Sequence, residues 1–323
     1  MIKTTIGNGG CFLFLKEDSM STTNVPGGGF ILGQITEGWS SDEKFLVEHQ
    51  GEKHVLRYSN PSLGLRKTEE FRYLQNLNIR SDRIPKVIGS GFDEAVNKAW
   101  IRYQYIEGTP LEQIMDRFDS INQYRFGMEA GKVLKAIHSV EPTQSIDIFT
   151  KMTIKYRKKK NMYEESGLKE DFHEEIIAFL ENNQSFLALR PSTFCHGDFH
   201  PGNMVIDPSG RLFVIDFNRW DIADPYEDFS RMISFGRRLS IPFCIGQLRG
   251  YFGVNGPSEH DFRLFLWYVS MDLAFGLLWA RDFGSSEIEV HEQLKKQILG
   301  DFNHYRQVIP TWWKENEYDF EIR

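Results

Sequence analysis

The hydrophobic period of the chain changes once, at Gly108-Thr109-Pro110, and this change limits the fold more than any other feature. Ahead of it, Phe30 to Thr36, Glu43 to Glu48 and His54 to Tyr58 are short β-leaning runs, the last two parted by the turn-forming His49-Gln50-Gly51-Glu52-Lys53. From Leu65 to Leu77 the apolar residues Phe71, Leu74 and Leu77 recur every third position, the face of one helix. Pro85 marks its end before strands return at Lys86 to Gly89 and Ala99 to Ile106. Behind the change, Leu111 to Met115, Tyr124 to His138, Phe172 to Leu189, Glu227 to Leu239, Asp261 to Ala280 and Glu287 to Val308 carry helical spacing with charged opposite faces. The expected fold class is α+β. An N-terminal antiparallel sheet with one helix spans 1–107, with 1–20 as a possible extension, and a mainly helical part spans 108–323.

Hydrophobic residues make up 41% of the chain and charged residues 26%, the profile of a globular protein with a real core. With 38 Lys+Arg against 45 Asp+Glu the net charge is −7, which repels phosphate backbones and anionic membranes, so neither nucleic acid nor membrane is expected as a partner. Cys11, Cys195 and Cys244 lie far apart and suggest no disulfide framework, and the apolar patch Cys11 to Leu15 is too short for the core of a signal peptide. A cytoplasmic protein is expected. Leu264 to Ala280 imitates a membrane span, but Asp272 sits in its middle and Arg263 and Arg281 bound it, so a buried helix is the better reading. Trp267, Trp279, Trp312 and Trp313, on helical runs, read as core.

One β segment interrupts the helical part. Asn203 to Ile206 and Leu212 to Ile215 flank the turn Asp207-Pro208-Ser209-Gly210; Cys195-His196-Gly197-Asp198 and then Asn203 lead in, and Ile215-Asp216-Phe217 leads out. An antiparallel hairpin returns the chain to its origin, so Asp198 and Asn203 are expected near Asp216. A carboxylate with an amide oxygen suits Mg²⁺, and the remaining carboxylate can take a proton from a hydroxyl nucleophile. Each acid alone would pass for an ordinary loop residue. The joint spacing points to phosphoryl transfer.

At these residues the chain resembles the aminoglycoside phosphotransferase and choline kinase-like family, small-molecule kinases of the protein-kinase-like two-lobed fold, over nearly its whole length. The resemblance implies that Asp198 is catalytic, that Asn203 and Asp216 hold Mg²⁺, and that ATP or GTP is the co-substrate. It places a phosphate loop at Gly38-Trp39-Ser40-Ser41-Asp42, with Ser40 and Ser41 as donors. Arg57 stands where the family most often has lysine, with Glu70 (or the competing Glu69) as its partner acid. The backbone of Gln104 and Ile106, in a linker running from Tyr103 to Gly108, would hold the base. Arginine keeps the charge without being geometrically equivalent to lysine, which leaves a catalytically weak nucleotide-binding pseudokinase as a rival reading.

For the acceptor the resemblance implies a small molecule with a hydroxyl, an aminoglycoside or amino sugar first and choline or another amino alcohol next. A cationic acceptor would meet acids among Asp221, Asp224, Glu227, Asp228 and Asp272. Alternatives stay open: Asp221 to Asp228 can equally be a helix-capping segment, Asp272 can pair with an internal arginine, and the basic run Lys151 to Lys160 can bind an acidic ligand or form a solvated helix face. No Gly-x-x-x-x-Gly-Lys-Ser/Thr loop occurs, Gly27-Gly28-Gly29 does not continue as a Rossmann turn, the His-Arg-Asp and Ala-Pro-Glu segments of protein kinases are absent, and Asp216-Phe217 is followed by Asn218 where protein kinases have the glycine of Asp-Phe-Gly.

Overall fold

The β-leaning runs form the expected sheet. A computed structural model of the chain describes residues 15–16, 25–36 and 42–315. Strands β1 (Leu15–Lys16), β2 (Phe30–Ile35), β3 (Glu43–His49) and β4 (Glu52–Ser59) are followed by helix α1 (Gly64–Arg80) and strands β5 (Val87–Asp93) and β6 (Lys98–Gln104). They pair antiparallel in the order β1-β2-β3-β4-β6-β5. The two-residue turn Gln50-Gly51, both at positive φ (54° and 82°), sets His49 opposite Glu52 and so Lys44 opposite Arg57. Successive strand residues point to opposite faces. Val47 and Leu56 close a small core with Val25, against which Phe45, Tyr58 and Trp100 pack, while Lys44, Val55 and Arg57 point the other way.

Beyond the sheet, β7 (Thr109–Pro110) leads into the short helix α2 (Leu111–Ile114). Gly108 is at φ 157°, and a Cβ there would lie 2.3 Å from the carbonyl oxygen of Ile206, so the close approach admits glycine alone. The helical part follows with α3 (Ser120–His138), α4 (Ile148–Ser166), α5 (His173–Asn183) and the strand β8 (Thr193–Cys195). The expected hairpin is present as β9 (Met204–Ile206) and β10 (Leu212–Val214), and β7 joins it as a third strand. Strand β11 (Asp221–Ala223) pairs with β8. Helical turns then run through residues 225–239, with a π turn at Met232–Gly236, before helices Ile241–Phe252, Glu259–Phe283, Ser285–Asp301 and Thr311–Glu315.

The chain divides into two compact units. One gathers the described residues up to Ile114 with Pro201–Phe217; the other comprises Met115–His200 and the described residues from Asn218 onward. Among the described residues Glu259–Phe283 is the one helix long and apolar enough to cross a membrane, and 72% of its most apolar window is buried inside the protein. Trp267, Trp312 and Trp313 are core residues as expected, whereas Trp279 is half exposed.

One expected helix is shorter than its run, and one helix was not expected. The run Glu287 to Val308 is not one helix: it ends at Asp301, and Asn303, His304 and Tyr305 turn left-handed. Helix Ile241–Phe252 escaped the periodicity because Pro242, Gly246 and Gly250 lie in it. Pro242 occupies the first turn, where its missing N–H costs nothing, and Ser240 caps the end by accepting from the Phe243 N–H at 3.0 Å. The glycines serve contact with α3. A Cβ on Gly246 would stand 2.1 Å from the Tyr124 carbonyl oxygen, one on Gly250 2.3 Å from that of Met128, and one on Gly127 2.1 Å from that of Phe243. Gly246→Ala must therefore separate two helices, and we expect a loss of about 1–3 kcal/mol in chemical denaturation. An unchanged denaturation midpoint would show that the interface yields without cost.

Candidate active site

Within the first unit a cavity of about 490 Å³ has a lining of two chemical kinds. Ile35, Val55, Leu74, Tyr103, Tyr105 and Ile106 line it with apolar and aromatic surface, and Lys44, Arg57, Asn203 and Asp216 bring charged and polar groups to it. The hairpin presents the last two together. β9 begins just after Asn203 and β10 ends just before Ile215, whose N–H donates to the Asn203 carbonyl at 2.9 Å. Asp216 then takes a left-handed backbone (φ 62°), a conformation Asp and Asn tolerate better than other side chains.

Arg57 reaches Asp216: its Nη2 donates to Oδ1 at 2.7 Å, and its Nε lies 3.8 Å from Asp42 Oδ2. Burial alone would lower the pKa of this guanidinium, but Asp216, with Tyr103 and Glu70 adding to it, outweighs burial and holds the group above its ordinary value. Glu70, the acid expected to hold Arg57, is engaged elsewhere. Its Oε2 accepts from Lys67 Nζ at 3.0 Å and its Oε1 from the Tyr103 hydroxyl, and no hydrogen bond joins it to Arg57. Lys67, one helical turn ahead of Glu70 on α1, makes the shorter connection. Burial, reinforced by Glu70, raises the Tyr103 phenol well above its usual value, so it stays protonated and donating.

Lys44, which the sequence reading did not single out, lines the same cavity. Its Nζ lies 3.7 Å from Asp216 Oδ2, and burial pulls its pKa below the ordinary value although Asp216 acts against that. Of the linker residues, the Gln104 N–H is taken by the Lys86 carbonyl at 2.8 Å, so a base edge there would meet the Gln104 carbonyl rather than its N–H. Ser40 and Ser41 lie outside the described residues.

The second unit carries Asp198. Its N–H donates to His196 Nδ1 at 3.2 Å, and the N–H groups of His196 and Gly197 both end on the buried Asp228, at 2.9 and 2.7 Å. Asp228 Oδ2 also meets His138 Nε2 at 3.0 Å, and His138 Nδ1 meets the Tyr251 hydroxyl at 2.9 Å. Burial would raise the Asp228 carboxyl, but His138 and His196 together, by hydrogen bonds and charge, outweigh it and lower it. Gly197, at φ 78°, passes so close to the Arg219 carbonyl that a Cβ would lie 2.0 Å from the oxygen. Around the Asp198 carboxylate stand Arg231 Nε at 3.5 Å, Arg219 Nη1 at 3.7 Å and His200 Nε2 at 3.8 Å. Burial would raise its pKa; His200, Arg219 and Arg231 together outweigh that and hold it at about 2.

The acids expected to meet an acceptor are each engaged by a base. Asp224 is a correction: it is buried, bound bidentately by Arg190 at 2.7 and 2.9 Å, and accepts from the Tyr226 N–H at 2.9 Å, which makes it a helix cap no acceptor can reach. Asp221 pairs with Lys151 at 2.6 Å, Glu227 with Lys155, and Asp272 with Arg231 at 3.8 Å. Lys151 and Lys155 stand four apart on α4, so part of the basic run pairs with acids of its own unit at a partly exposed face.

The sequence comparison matches residues 32–263 to the model of the phosphotransferase enzyme family. A comparison with curated proteins finds no match. Solved structures similar to the chain include the GDP complex of wild-type aminoglycoside 2'-phosphotransferase-IIIa, 16% identical with a TM-score of 0.60, over 82% of this chain and 93% of that one. ADP-bound aminoglycoside phosphotransferase APH(2'')-Ib is 19% identical with a TM-score of 0.56, over 82% of this chain and 91% of that one. The streptomycin–ATP–APH(2'')-IIa ternary complex is 18% identical with a TM-score of 0.56, over 82% and 92%. At these identities the likeness is one of fold.

Proposed function

The chain belongs to the phosphotransferase enzyme family, and from that premise we propose how its residues carry out nucleotide-dependent phosphoryl transfer to a hydroxyl of a small molecule. The observation that carries the reading is the cavity of the first unit, which joins apolar and linker surface that suits a base with Lys44, Arg57, Asn203 and Asp216, which suit phosphates and their metal. The Gln104 carbonyl and the Ile106 backbone meet the base. The Asn203 amide oxygen and the Asp216 carboxylate are the hard oxygen ligands that suit Mg²⁺. When bound, that ion neutralises charge on the β- and γ-phosphate oxygens. Asp198, ionised at any working pH, accepts the proton of the acceptor hydroxyl as that oxygen attacks the γ-phosphorus and the nucleoside diphosphate leaves. Arg231 and Arg219 keep the carboxylate oriented. We place the protein in the cytoplasm, a reducing compartment that suits its widely separated cysteines.

For the acceptor we favour an amine-bearing sugar or alcohol, because kanamycin, gentamicin and streptomycin are the compounds bound in similar solved structures. Such an acceptor has to exchange one of its ammonium groups for an internal lysine at Glu227 or Asp221. Lys155→Ala, which frees Glu227, should therefore lower the KM of an amine acceptor by about two- to fivefold. A raised KM would point instead to an acceptor that carries an anionic group.

The direct test is nucleotide consumption by the purified protein with Mg²⁺, ATP or GTP, and a panel of aminoglycosides, amino sugars, choline and simple amino alcohols. Turnover stimulated by one acceptor supports the proposal. Nucleotide binding with no acceptor-stimulated turnover across the panel would favour a nucleotide-binding protein without this activity.

A further inference from the structure

We propose that Lys44, on β3, is a phosphate-seating cation that shares with Arg57 the task kinase-like folds give to a single basic residue on the next strand. This rests on the nucleotide reading of the cavity given above. Lys44 and Arg57 stand directly opposite each other in the β3–β4 register, on the face that lines the cavity, with Ile35 opposite Lys44 on the other side. Like charges so placed repel, and the pair holds together when an anion stands between them. In this structure that anion is Asp216, with Oδ1 toward Arg57 and Oδ2 toward Lys44.

Lys67 pairs with Glu70 and Asp42, and Asp42 also lies 3.8 Å from Arg57; Asp216 is the carboxylate that pairs with both Lys44 and Arg57 among the described residues. A metal ion held by Asp216 would draw that carboxylate's charge away from Lys44 and Arg57, and a nucleotide polyphosphate would bring anionic oxygens to the same place. The two cations then divide the work by chemistry: the guanidinium is planar and keeps Asp42 3.8 Å from its Nε, while the ammonium is a point charge on a flexible stem that can follow the phosphates. A lysine whose side chain is 12% exposed, held in a cavity at a cost in desolvation, would otherwise be an uneconomical choice beside Ile35 and Val55.

The probes are ADP, GDP, adenosine, guanosine and inorganic triphosphate, titrated calorimetrically into wild type, Lys44→Met and Lys44→Arg, with circular dichroism confirming the fold of each. For whichever diphosphate the wild type binds, Lys44→Met is expected to weaken it, and inorganic triphosphate, by about tenfold or more, while the matching nucleoside binds as before and Lys44→Arg recovers most of the loss. Diphosphate binding by folded Lys44→Met equal to wild type would make Lys44 a counter-ion of Asp216 and overturn the inference, leaving the nucleotide reading intact. Equal weakening of nucleoside and diphosphate would also overturn it, since the effect would then be on cavity shape. No binding of any nucleotide by wild type would overturn both.

Discussion

Asp198→Asn should lower turnover by about 10²–10⁴-fold while leaving nucleotide affinity as it was. The substitution keeps the size and the hydrogen-bonding outline of the side chain and removes its ability to take a proton. The native carboxyl, with a pKa held at about 2, is ionised throughout the working range. The contrast with nucleotide binding is the informative part, because Asp198 packs in the second unit whereas the residues lining the cavity belong to the first. The same value predicts that any acid limb of kcat/KM owed to Asp198 lies near pH 2, so a limb at higher pH belongs to another group. Retention of most turnover in Asp198→Asn would remove this residue from the chemistry.

Asp228→Ala should cost about 3–5 kcal/mol of stability and also depress turnover at temperatures where the variant remains folded. Asp228 is the buried acceptor for two consecutive N–H groups of the loop that carries Asp198, and it holds His138 besides. Removing it leaves those donors buried without their anion, and a loop with no anchor cannot hold a proton acceptor in place. The pH dependence has a definite sign. A carboxyl whose pKa is lowered by folding adds stability that is complete above the unfolded value of about 4 and is lost as pH falls through the lower folded value. Denaturation at neutral and acid pH should thus show the gap between wild type and Asp228→Ala narrowing toward acid. A gap that holds constant would mean that Asp228 acts through packing alone.

The contrast between Asp228 and Asp216 shows which parts of the site could be read in advance. Asp216 follows a strand that pairs locally with Asn203 through a short turn, so its neighbour is written a few residues away. The partners of Asp228 are His138, ninety residues earlier, and two backbone groups with no side-chain signature, so it reads merely as one more acid in a run of acids. Arg231 and Arg219 are hidden for the same reason. Lys44 was within reach: the turn at Gln50-Gly51 sets its register against Arg57, and counting back along the two strands places both cations on one face.

The charge pairing shows the limit most clearly. The resemblance implied that Asp221, Asp224, Glu227 and Asp272 could meet a cationic acceptor, with a helix cap and an internal arginine left open as alternatives, and the basic run on α4 read as a separate matter. Packing joins the two, and it gives Asp224 to Arg190 and the cap of a helix. By itself the sequence determined the strand and helix periods, the hairpin and the spacing of Asp198, Asn203 and Asp216, because these depend on residues near one another along the chain. Which acid neutralises which base, and which helix needs glycine to approach its neighbour, was decided by the tertiary structure, because a charge or a steric contact acts through distance in space and leaves no period in the sequence.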